Sequence, residues 1–168
     1  MSEVFERASV SLMMADYAVA DQLGKVQIVG GGLQLVGRDH GTGLSSAFAL
    51  VVTLDFPPTV FNEQYVFEVV LEDVNGAPVE LAAAPPGGIS NVVRFGQTLQ
   101  VEEPTFRGNG VPRHALPARS HVVLFFNTGL PLPAGNVLVW RARIDGDSRP
   151  EWTLPFFVPA PPTGPVLG

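Results

Sequence analysis

Residues 47–56, AFALVVTLDF, alternate Phe48, Leu50, Val52, Leu54 and Phe56 with smaller or polar side chains. A period of two is the mark of a β-strand with one face in a core. Residues 65–73, YVFEVVLED, repeat it, with Tyr65, Phe67, Val69 and Leu71 on one face and Glu68 and Glu72 on the other. The intervening PPTVFNEQ breaks the pattern, because proline cannot donate to a ladder. Further strands are expected over 7–16, 92–102, 119–127 and 136–158, the segment 92–102 bulged at Gly96. Residues 17–25, YAVADQLGK, read as a connection, and 26–37 as a bent or interrupted strand pair.

With 18 glycines and 16 prolines there are turn signals at steady spacing, and no long amphipathic helix competes. The expected fold is all-β: one antiparallel β-sandwich, jelly-roll or Ig-like, of about nine strands. Residues 1–6 form an N-terminal arm, 7–158 the sandwich and 159–168 an extended Pro-rich tail. A chain of 168 residues suits one such domain.

Two hairpins carry register predictions. Asn75-Gly76 marks a tight turn. A three-residue loop pairs Leu71 with Leu81 and Asp73 with Val79, which keeps apolar faces together. A turn centred on Gly146 sets Trp140 opposite Trp152.

Composition excludes several functions. Net charge is −6, against the basic surface of a nucleic-acid binder or of a protein drawn to anionic membranes. Without cysteine there are no disulfides, thiolate metal sites or Cys nucleophile. The start MSEVFERAS has no apolar core, so no secretory signal is read there, and a cytoplasmic origin is the default.

The stretch VQIVGGGLQLVGRDHGTG imitates a phosphate loop, with Gly32 and Gly37 at its spacing. Arg38-Asp39 stands where Lys-Ser/Thr would be needed, and no helix follows. It reads instead as a glycine bend, with positive φ or a bulge expected among residues 30–32. His40 beside Asp39, with Thr42, Ser45 and Ser46, lacks a nucleophile elbow and reads as a polar loop. His121 reads as a surface residue. Asp145, Asp147 and Glu151 lack calcium-loop order and suit a turn. Glu102-Glu103 reads as a strand end. No catalytic residue, metal site or cofactor is expected.

What remains is surface for a partner. Arg141 and Arg143 share the outward face of one strand, where they bind an acidic partner or guard a sheet edge. The irregular stretch 103–118 offers Phe106, Arg107 and Arg113. The tail offers Pro161 and Pro162 for docking on a neighbour.

The opening block resembles an uncharacterised bacterial and phage domain family of unknown function. The likeness lies in Asp16-Tyr17-Ala18, in Asp21 to Lys25 (D-x-x-G-K) and in Ile28 to Gly32 (I-x-G-G-G). Weaker likeness extends over residues 10–158. The resemblance implies a small β-sandwich and assigns no catalytic residues. The expectation is therefore a non-enzymatic structural or interaction protein, such as a phage capsid decoration or minor capsid protein. It would be located in the virion, with capsid subunits and copies of itself as partners. The alternative is a small-ligand or carbohydrate-binding module of a high-GC bacterium, in the cytoplasm.

Overall fold

The period-two segments become strands that pair antiparallel throughout. The computed structural model describes residues 1–82 and 90–164. Its strands are β1 (Ser9–Ala15), β2 (Tyr17–Ala20), β3 (Val26–Val29), β4 (Phe48–Phe56), β5 (Gln64–Glu72), β6 (Arg94–Gln100), β7 (Ala118–Phe126), β8 (Asn136–Ile144) and β9 (Thr153–Val158). One sheet has the order β1-β4-β7 and faces a second of order β6-β5-β8-β9. A separate two-stranded sheet, β2-β3, lies outside. Three strands facing four is the Ig-like solution, not the eight-stranded jelly roll.

The inward side chains are those that alternation selects. Phe48, Leu50, Val52, Leu54 and Phe56 are buried and meet Phe67, Val69, Leu71, Leu138 and Trp140 of the facing sheet. Trp140 is sandwiched between Phe126, 5.9 Å away, and Phe156, 6.3 Å away, with near-parallel rings. Its indole N–H is buried without a partner among the described residues.

Both hairpin registers differ from expectation by two residues. The Asp73 carboxylate accepts the N–H of Asn75 and of Ala77, which sets the loop at residues 74–76. The loop has three residues and Gly76 has φ +84°, but Leu71 bonds Val79, not Leu81. In the last hairpin Asp145 and Gly146 both have positive φ, closing Ile144 against Asp147 as a type I′ turn does. Residues 148–151 then loop out, with the Ser148 hydroxyl bonded to the Ala142 carbonyl. Trp140 therefore pairs with Leu154, and Trp152 lies beside Ala142. A two-residue shift preserves the face, so both indoles remain buried.

Other expectations are corrected. Gly96 pairs with Glu68 in unbroken register, so β6 has no bulge there. Residues 1–6 are no free arm: α1 (Glu3–Arg7), capped by Ser2, buries Val4 and Phe5. Phe5 stands edge-on to Trp152 at 5.2 Å, and the Arg149 guanidinium covers both rings. Arg149 also donates to the Phe5 and Glu6 carbonyls.

The glycine stretch closes one side of the sandwich. Gly30 and Gly32 have φ of +66° and +87°. The N–H groups of Gly32 and Leu33 reach the Met14 carbonyl on β1. Val36 donates to the Phe157 carbonyl on β9, and Phe157 donates to Gln34. One short segment thus ties an edge of each sheet.

Candidate interaction surface

Residues 17–25, expected as a connection, form half of a hairpin. Asp21 Oδ1 accepts the N–H of Leu23 and of Lys25, and Gly24 takes φ +76°. That local geometry turns β2 onto β3, pairing Tyr17 with Val29 and Ala18 with Ile28. The signal available in the sequence is D-x-x-G-K between the short apolar runs YAVA and VQIV.

The hairpin covers the outer face of β4 and β7. Ala18 is buried on Ala49 and Val51, with Val26 and Val123 packed at the margin. Small side chains at positions 18 and 49 let the two layers approach. This is why β4 is buried on both faces near its start.

The hairpin's outward side carries Tyr17, Val19, Val29 and the polar Gln27, none of them charged. Tyr17 meets Phe125 edge-to-face at 5.2 Å. Val19 and Val29 lie on the same face as Tyr17, 40% and 61% exposed, while Ile28, which shares the inward face of Ala18, and Met13 of β1 are exposed at the hairpin's margin. Contiguous exposed apolar surface of sufficient size is a general feature of interaction sites. Leu23, 82% exposed, projects from the hairpin tip.

The same sheet face turns polar along its length. Thr53 bonds His121 across the strands at 3.1 Å, and Arg119 grips Asp55 with two bonds. His121 is half-buried, not a plain surface residue. Its pKa is lowered, first by burial and then by the charge of Arg119.

The arginine stripe is engaged by carboxylates of the neighbouring strand. Arg141 Nε lies 2.6 Å from Glu72 Oε2, and Arg143 Nη2 lies 2.7 Å from Glu72 Oε1. Arg143 also reaches Glu68, whose other oxygen is 2.7 Å from Arg94. Glu72 has no exposed surface, so its charge requires these cations. Nor does β8 lie at an edge, since β5 and β9 flank it. Adjacent strands supply opposite charges, and they neutralise one another.

The remaining predicted residues do not converge. Arg113 binds Glu103 through two bonds and His114 approaches the same carboxylate at 3.2 Å, closing the base of the irregular loop. Arg113 holds Glu103 below the usual carboxylate range, mainly by hydrogen bonding. Arg107 and Phe106 are exposed beyond that closure. This loop leaves β6 beside the start of β5, whereas the tail leaves β9 beside the start of β8. Pro161 and Pro162 are exposed there, at the opposite end of the sandwich. Residues 165–168 of the tail, like 83–89 of the loop before β6, lie outside the described residues.

The polar cluster at residues 39–46 organises backbone. Asp39 accepts the N–H and hydroxyl of Thr42, and its pKa is lowered chiefly by that N–H. The Ser45 hydroxyl donates to the Ser46 carbonyl and accepts the Leu130 N–H. Among the described residues no three His, Asp or Glu side chains gather as a metal site requires, and no helix is long and apolar enough to cross a membrane. An open groove of about 640 Å³ lies over Val137 and Phe157, rimmed by Asp73, Asn75 and Asn136.

No family model, no curated protein and no solved structure matches this chain. The surfaces described above therefore carry the functional reading.

Proposed function

We propose that this is a non-enzymatic structural or interaction protein that binds another protein through the outer face of β2 and β3. The observation that carries the reading is the uncharged patch built on Tyr17, Val29 and Phe125. It is held on a hairpin locked by Asp21 and Gly24, so a partner meets an ordered surface. In concrete terms the protein is a virion component, a capsid decoration or minor capsid protein. Support for that step is the resemblance of the opening block to a bacterial and phage family. Those same motif residues, 16–18, 21–25 and 28–32, form the hairpin and its glycine hinge. Nucleic acid and membrane are not partners in this reading, since the patch offers no cation cluster.

Electron cryo-microscopy of purified particles from the source tests it. The sandwich is expected against the shell with β2 and β3 inward, and Val29→Asp should abolish incorporation. Particles that lack the chain would overturn the virion reading. Incorporation undiminished by Val29→Asp would overturn the assigned face.

The groove beside Phe157 favours a second reading, a small-ligand or carbohydrate-binding module. Its apolar floor and amide rim suit a sugar face, although it holds a single aromatic residue. Titration with an oligosaccharide panel, read by NMR shifts of Asn75, Asn136 and Val137, tests this.

A further inference from the structure

The sheet edges of this sandwich are treated unequally. The edge of β9 is covered by Gln34 and Val36, and β1 gives its Met14 carbonyl to Gly32 and Leu33. The edge of β6 has no such cover among the described residues. Leu71 donates to the Val93 carbonyl and Val101 donates to Glu63, so the odd-numbered residues of this strand bond toward β5. Alternation then directs the N–H and C=O groups of Arg94, Gly96, Thr98 and Gln100 away from β5. Among the described residues these groups have no backbone partner. Gly96, Gln97 and Thr98 are all exposed.

Natural edge strands carry proline, inward charge or a bulge to prevent pairing. β6 has none of these: its register is continuous through Gly96, and its sole charge, Arg94, is bound to Glu68. An edge left in this state is a template for another strand.

We infer that β6 pairs with β6 of a second copy of this chain, antiparallel about a two-fold axis through Gln97. The strand is self-complementary in that register. Gly96 falls opposite Thr98 of the second copy, so the two outward-bonding residues meet and a small side chain faces a branched one. Arg94 falls opposite Gln100, so no like charges oppose. Phe95 falls opposite Leu99, and both lie on the core-facing side. An unrelated strand would have to reproduce this parity, whereas a two-fold copy supplies it by symmetry. The two four-stranded sheets would become one continuous sheet. This surface is separate from β2 and β3, so the inference stands apart from the capsid reading.

The test is sedimentation of the full chain over a concentration series, with amide exchange measured alongside. Wild type should be a monomer–dimer system in which Gly96 and Thr98 amides gain protection as dimer forms. Thr98→Lys, at an exposed position, should raise the dissociation constant at least tenfold with an unchanged circular dichroism spectrum, whereas Thr98→Val should retain the dimer. A wild-type chain that stays monomeric with unprotected Gly96 and Thr98 amides would overturn the inference, as would a dimer that Thr98→Lys leaves intact. If Thr98→Lys fails to fold, the exchange pattern of wild type decides alone.

Discussion

Glu72 is fully buried, and Arg141 from the neighbouring strand meets its carboxylate at 2.6 Å. Arg143 holds the other oxygen, so two half-buried cations neutralise one buried anion. Removing both arginines together, as Arg141→Ala with Arg143→Ala, leaves that anion unpaired and should cost about 3–5 kcal/mol. Either single variant should cost less, because one cation remains. Urea unfolding of the three variants checks the order, and equal costs for single and double variants would contradict it.

Glycine positions should separate sharply. A Cβ at Gly129 would overlap the Ser45 carbonyl, and φ there is +71°. Gly129→Ala should therefore destabilise by more than ~2 kcal/mol. Gly32 has φ +87° but open space, so Gly32→Ala should cost only about 1 kcal/mol. Gly96 lies in regular strand, its Cβ at ordinary distance from the Phe67 carbonyl, and Gly96→Ala should stay within about 0.5 kcal/mol of wild type. Thermal denaturation ranks the three.

His121 adds a pH dependence. Burial and Arg119 hold its pKa below the ordinary value of 6.5, so the unfolded chain binds its proton more readily. Stability should therefore fall as pH drops through about 6.5 and level off below the folded pKa. His121→Gln, which preserves a partner for Thr53, should flatten this part of the profile. Melting temperatures of both proteins between neutral pH and about pH 5 give the comparison.

The amino-terminal helix is predicted to be part of the domain's stability. Phe5 is 6% exposed and packs edge-on against Trp152 under Arg149. Phe5→Ala should cost roughly 3 kcal/mol. Arg149→Ala should cost less but loosen α1 selectively, seen as faster amide exchange in the residues 3–7.

The local chemistry of the chain is legible where a backbone conformation admits few residue types. Asn75-Gly76 and Asp145-Gly146 marked turns, and Gly30 and Gly32 marked a bend, because positive φ is open to glycine and seldom to others. The hairpin of β2 and β3 was hidden because four-residue strands leave too few periods to register. The apolar patch was hidden with it, since exposure belongs to neither strand alone.

By itself the sequence determined that this protein is all-β, and which side chains of β4, β5 and β8 face inward. The physical reason is that strand geometry alternates side chains between two faces, and only one face of these strands is continuously apolar. The tertiary structure decided the registers, because a shift of two residues keeps every face and leaves alternation blind to it. It also decided that Arg141 and Arg143 serve Glu72 and Glu68. Opposite charges 69 and 75 residues apart in the chain become neighbours only when β5 lies beside β8.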